Sequence, residues 1–446
     1  MQYTISFIVS RTCEELLHTY PLSHRIMLRY NAIRPLILSF LILINVSPLI
    51  ARNNSPRVKT GIEVLKSHNF NILKGKRVGL ITNPTGVDNE LRSTIDILHK
   101  ALDVNLVALY GPEHGVRGNM HAGTSVVNST DPTTGLPVYS LFGKTRKPTP
   151  EMLEDIDVLV YDIQDIGCRS FTYISSMGLA MEAAAEQGKE FIVLDRPNPL
   201  GGDKVEGCLT EEGFTSFVSQ WKIPYIYGLT CGELAKMLND EGLLKNGEKC
   251  KLTVVKMKGW KRKMTYEDTK LQWVPSSPHI PQPISAVAYP MSGIIGEFSY
   301  LNIGVGYTIP FQMFAAPWIQ ADRLTDRLNN LHLPGVLFRP IYAKPFYTVM
   351  KDELIQGVQV YFTDFKKASL TDIQFLVAQE IAALYPDRKL FNIADKTRYN
   401  MFDNVCGTSK IRKIFSQRHR WEDIKPYWYK DVADFKKLSK KYYLYN

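Results

Sequence analysis

The chain is poor in cysteine. It has six in 446 residues, five of them after Ala51 (Cys168, Cys208, Cys231, Cys250, Cys406), and no C-x-x-C spacing. That argues against a zinc site or a disulfide scaffold and leaves ordinary buried thiols. No G-x-G-x-x-G follows the first predicted strand, where "ITNPTGV" stands instead, so a dinucleotide role loses its main support. No G-x-S-x-G occurs either, which leaves a serine nucleophile unsupported. Glu113, His114 and His121 lack the H-E-x-x-H spacing, so neither a metal nor a cofactor is expected. Internal repeats and low-complexity tracts are missing too. The one strongly apolar stretch, Pro35 to Ile50, is short for a membrane span.

That stretch follows Arg29 and Arg34 and ends at Ala51, before a polar "RNNSPR". A basic start, an apolar middle and a small residue at the end predict a signal peptide over 27–51, with translation from Met27 and residues 1–26 upstream of the product. The expected location is periplasmic or secreted, with no stable membrane insertion after cleavage. The formal net charge is +10, and from Lys410 onward eleven Lys/Arg face four Asp/Glu. Secretion argues against a nucleic-acid partner, so the basic tail is expected to be a solvated face.

From Lys76 onward, short apolar runs alternate with helical patterns. "RVGLITN", "NLVALYG", "DVLVYDIQD" and "EFIVLDRPNP" are predicted strands, and "STIDILHKAL", "TPEMLEDI" and "SSMGLAMEAAAEQG" are predicted helices. Strands apolar on both faces and separated by helices imply an α/β fold with a doubly wound, Rossmann-like parallel sheet. "WVPSSPHIPQPISAVAYPMSG", with five prolines, is predicted to be a loop-rich crossing between domains. The expected organisation is a Rossmann-like domain over 56–285 and a smaller α+β domain over 286–446, the latter containing "GVQVYFTD" and the helix "LTDIQFLVAQEIAALYP".

Ligands of open parallel sheets sit outside the carboxyl ends of the strands. At those ends the sequence places Asn83; then Glu113, His114 and Arg117; then Asp162, Gln164, Asp165 and Arg169; and then Asp195, Arg196 and Asn198. Capping alone explains one polar strand end better than four, so a functional rim is expected. Individual members have structural alternatives: Asp162 could pair with Arg169, and Asp195 with Arg196 or a backbone amide. Glu113 is the sharpest candidate. A carboxyl between Pro112 and His114 at a dry strand end can acquire the raised pKa of a general acid. Carboxylates, tyrosines (Tyr110, Tyr173, Tyr227) and flanking Asn and Arg suit a sugar.

"GPEHGVRG", "DPTTGLPVYSLFG", "DVLVYDIQDIGCRSFTYISSMGLAMEAAAE", "VLDRPNPLGGDKVEG", "GLTCGELAKMLN" and "PFQMFAAPWI" together resemble the secreted bacterial exo-β-N-acetylmuramidase family, from about Gly61 to the C-terminus. The resemblance implies a glycoside hydrolase that removes N-acetylmuramic acid from the non-reducing end of peptidoglycan fragments, with its active site in the cleft between the two domains. It makes peptidoglycan-derived muramyl saccharides the expected partners and puts Glu113 at the glutamate of the family's P-E-H-G motif. His114, Asp162 and Asp165 join it as catalytic candidates. Asn83, Arg117, Gln164, Arg169, Tyr173, Asp195, Arg196, Asn198 and Glu297 are the substrate-binding candidates, with Arg169 or Arg196 expected to hold the lactyl carboxylate. Two departures stand out. Ile303 and Val305 replace a glutamate and an arginine of the family pattern, and His279 replaces an asparagine in Ser277-Pro278-His279. The alternatives left open are an exo-β-hexosaminidase for another amino sugar and a wall-fragment binding protein without turnover.

Overall fold

The computed structural model describes residues 57–118 and 129–446; the predicted signal segment and His121 lie outside the described residues. Arg57–Asn446 pack as one compact unit. Helix α1 (Gly61–Ser67) leads into β1 (Arg77–Thr82). Then follow α2 (Thr94–Lys100), β2 (Asn105–Gly111), β3 (Ser129–Thr130), β4 (Pro137–Ser140), α3 (Pro150–Leu153), β5 (Val158–Asp162), α4 (Tyr173–Glu186), β6 (Glu190–Leu194), α5 (Cys231–Asp240) and β7 (Lys251–Val255). The seven strands form one sheet in the order β3-β4-β2-β1-β5-β6-β7. Every neighbouring pair is parallel except β3 with β4. Central strands are buried on both faces, as with Leu80 paired to Leu109 and Val160, which explains their unbroken apolar runs. Strands β3 and β4 were not foreseen, because a two-residue strand and a four-residue strand opening on a proline leave almost no pattern.

Helix α4 carries a glycine in its interior for a packing reason. A Cβ at Gly178 would lie 2.1 Å from the Trp221 ring, so any larger residue would push the indole off the helix.

A second, smaller sheet follows. Helix α6 (Pro283–Gly296) precedes β8 (Met313–Ala316), α7 (Ala321–Asn329), β9 (Val336–Ala343), β10 (Ile355–Phe362) and α8 (Leu370–Leu384). The strands are antiparallel in the order β8-β10-β9. Short helices α9 (Leu390–Ile393), α10 (Tyr399–Cys406), α11 (Lys410–Arg418), α12 (Trp421–Trp428) and α13 (Val432–Ser439) complete the chain. One apolar cluster runs from Ile166, Cys168 and Tyr225 into α6, β8, β10 and α8, so the two sheets share a core.

One expectation needs correction. Much of the proline-rich crossing is helix α6, which continues through Pro290. The buried Gln374 side chain of α8 donates to the Pro290 carbonyl and accepts from the Ile295 amide, satisfying backbone groups beside the break. The basic tail presents the expected solvated face and buries the other. Lys436, Lys437 and Lys440 are exposed, whereas Phe435 and Tyr442 pack into the core of the large sheet. All five described cysteines are buried free thiols.

Candidate active site at the sheet rim

Strands β2, β1, β5 and β6 are consecutive neighbours, so their carboxyl ends form one rim, as the strand-end residues predicted. Tertiary packing divides that rim into residues that brace it and residues that face Glu113.

The bracing group is large. Asp162, read as a catalytic candidate, is fully buried and receives Arg196 Nε at 2.6 Å and Nη2 at 2.9 Å, with the Thr94 hydroxyl as a third donor. Its partner is thus Arg196 and not Arg169. Arg196 also reaches the Val87 carbonyl at 2.9 Å and, with Gln164, lines a small cavity of about 120 Å³. Asp195 is buried against Thr230, the Gly232 amide and Tyr445; burial pushes its pKa up to about 6 despite those donors. Asn198 donates to the Leu229 carbonyl and accepts from the Leu200 amide. Gln164 donates to the carbonyls of Asp165 and Pro197.

Both arginines outside this pair are structural too. Arg117 forks onto Asp131, at 2.8 and 3.0 Å, and reaches Asp96 at 3.0 Å. The guanidinium holds Asp131 down to about 2. Arg169, expected at the lactyl carboxylate, has no exposed surface; it donates to the carbonyls of Cys208, Ile223 and Val405. A buried planar fork with several donors suits converging carbonyls as well as it suits a carboxylate, so residue type alone did not separate the two roles.

Asp165 is intermediate. Its Oδ2 accepts from the Tyr227 hydroxyl and the Gly167 amide, while its buried Oδ1 has no hydrogen bond among the described residues. Burial pushes its pKa up to about 6 against those two donors.

Glu113 sits half-buried just beyond β2, in a turn closed by the Gly115 amide on the Pro112 carbonyl at 3.0 Å. His114 is buried with φ of 74°, a left-handed conformation that a non-glycine residue holds only when its surroundings over-determine it. The charge of Glu113 is felt by Tyr173, Tyr289 and His279. Tyr173 donates to the Ser276 carbonyl, and burial makes its phenol less acidic. Tyr289 lies within electrostatic reach of both Glu297 and Glu113. Burial raises the Glu297 pKa, and Arg398, 3.6 Å away, opposes the shift. His279 is held towards its neutral form by burial and by His114.

Thus Asn83, Glu113, His114, Tyr173 and Glu297 are brought together, joined by Tyr289 and His279, which the strand-end reading missed. Both lie in the proline-rich passage, where the histidine in Ser277-Pro278-His279 was the available signal. Ile303 and Val305 pack into the core of the second sheet. Among the described residues no three His, Cys, Asp or Glu side chains gather as metal ligands, and no helix is long and apolar enough to cross a membrane.

A doubly wound sheet with a carboxylate and aromatic rings at its rim defines a carbohydrate-active enzyme of the α/β class. Comparison with known proteins narrows the class. Residues 78–284 match the family model described as exo-beta-N-acetylmuramidase NamZ, N-terminal, and residues 287–445 match its C-terminal counterpart. The chain belongs to this exo-β-N-acetylmuramidase family. It is 45% identical over 390 residues to the peptidoglycan beta-N-acetylmuramidase NamZ of Bacillus subtilis (strain 168), covering 87% of this chain and 92% of that protein. The crystal structure of a DUF1343 family protein from Bacteroides fragilis NCTC 9343 superposes with a TM-score of 0.85 at 70% identity, covering 87% of this chain and 99% of that one. A second DUF1343 protein of the same organism gives 0.68 at 27% identity, covering 88% and 99%.

Proposed function

We propose that this chain is an exo-β-N-acetylmuramidase that removes N-acetylmuramic acid from the non-reducing end of peptidoglycan fragments, with Glu113 donating the proton to the departing glycosidic oxygen. The observation that carries the assignment is the position of Glu113. It is a half-buried rim carboxylate just beyond β2, within electrostatic reach of Tyr173, Tyr289 and His279. Tyr289, half-buried, offers a ring face to a pyranose, while Tyr173 is buried behind the rim with its hydroxyl on the Ser276 carbonyl. Glu297, raised in pKa by burial and opposed by Arg398, is the second glutamate within electrostatic reach of Tyr289. The predicted signal peptide supports action outside the cytoplasm, in wall turnover or scavenging.

Glu113→Gln tests the proton donor. Loss of general acid catalysis costs about 10²–10⁴-fold, and least where the leaving group departs readily without a proton. The variant should fold normally and lose far more activity on a natural disaccharide than on an activated aryl N-acetylmuraminide. Equal losses on both would make Glu113 a nucleophile or a stabiliser of the sugar cation. Unchanged activity on both would remove it from the chemistry. Parallel assays on aryl N-acetylglucosaminide distinguish a muramidase from a hexosaminidase of other specificity.

A further inference from the structure

Beyond Glu113 the surface carries aromatic rings that the reaction itself does not use. Phe346 is 55% exposed and Tyr347 40% exposed. Single exposed apolar residues need no explanation, but these are contiguous. The rings of Tyr307 and Phe346 are 6.5 Å apart, those of Phe346 and Tyr347 5.4 Å, and Tyr347 stacks on His279 at 6.0 Å with the planes 21° apart. The rings thus form one connected series that ends at His279, and His279 lies within electrostatic reach of His114 and Glu113.

Its backbone is held in place rather than left to solvent. The Phe346 amide donates to the Gly306 carbonyl at 2.9 Å, buried Asn302 donates to the Val349 carbonyl at 2.8 Å, and the Asp352 amide donates to the Pro345 carbonyl at 2.8 Å. A Cβ at Gly306 would lie 2.0 Å from the Tyr347 carbonyl oxygen, so the close approach requires glycine. Thr348, Met350 and Asp352 all have φ near +60°. Strained residues persist where the surrounding contacts over-determine them, and here those contacts hold the backbone that carries the rings before any ligand arrives.

We propose that Tyr307, Phe346 and Tyr347 form a stacking ridge for the leaving-group sugars of a longer glycan. The proposal rests on the exo-acting reading above. An enzyme that removes one terminal sugar has a single residue on the non-reducing side of the scissile bond, so an extended surface outside the catalytic acid meets the rest of the chain. Pyranose C–H faces lie on such rings while the hydroxyls keep their water. The ligand class is a β-linked amino-sugar oligosaccharide longer than a disaccharide.

The test compares kcat/KM on a muramyl-terminated tetrasaccharide with that on an aryl N-acetylmuraminide. Wild type should favour the tetrasaccharide over the corresponding disaccharide. Phe346→Ala and Tyr347→Ala should each lower the tetrasaccharide-to-aryl ratio by about tenfold, while Phe346→Trp and Tyr347→Phe keep most of it. Calorimetric binding of the tetrasaccharide to Glu113→Gln, with and without each alanine change, reads the ridge without turnover. An unchanged ratio together with unchanged affinity in the alanine variants overturns the ridge. Weakened binding in a protein that hydrolyses neither substrate would instead retain the ridge and overturn the assigned reaction. Thermal midpoints close to wild type show that the exposed substitutions leave the fold intact.

Discussion

Arg169→Lys separates a structural cation from a substrate contact. The guanidinium is wholly buried, with donors 2.9 Å from the Cys208 carbonyl, 2.5 Å from that of Ile223 and 3.1 Å from that of Val405. No carboxylate lies within 4 Å of it among the described residues, and burial lowers its pKa. Its nearest charge-compatible neighbour is the Tyr225 ring, 5.8 Å away. Lysine keeps the charge on a single compact ammonium, which loses the fork and leaves one or two of the three carbonyls unpaired. Hydrogen bonds to charged groups contribute about 1.5–3 kcal/mol each, and an orphaned buried acceptor costs about 1–3 kcal/mol. A loss of about 2–4 kcal/mol in unfolding free energy is expected. Urea unfolding followed by fluorescence measures it, and kcat/KM on muraminide and glucosaminide, taken well below the unfolding transition, measures the substrate side. The expected result is a clear loss of stability with an unchanged ratio of the two activities. Full stability with the preference for muramyl substrate abolished would show that the guanidinium meets the lactyl carboxylate after all.

Two further predictions concern pH and processing. Asp165 has a folded pKa of about 6, raised above an unfolded value of about 3.9, so its contribution is fully present below about pH 4 and is lost as pH rises through 6. That rise of about two units corresponds to about 3 kcal/mol. Asp165→Asn cannot ionise, so its stability relative to wild type should improve by about that amount between pH 4 and pH 8; a pH-independent difference would refute the buried acid. The mature protein should begin near Arg52 and be recovered outside the cytoplasm, and N-terminal sequencing that starts at Met1 would sink the proposed export.

The sequence by itself determined the local and the topological. Runs such as Val78–Thr82 and Val158–Asp162, apolar on both faces and alternating with helical segments, imply central parallel strands, and a parallel sheet aligns its carboxyl ends. That made the rim and Glu113 legible without coordinates. What each rim residue does was decided only in three dimensions, because its partners are remote along the chain. Arg169 meets Val405 across 236 positions, Asp195 meets Tyr445 across 250, and Asp162 takes Arg196 from the next strand. Helix α6 likewise is tied to α8 beside Pro290 by Gln374, 84 positions away, which bonds the Pro290 carbonyl. Residue type states which bonds a side chain can make. Burial and the convergence of distant backbone determine which of those bonds it does make, and so commit the Asp, Asn and Arg residues of the rim to holding it together.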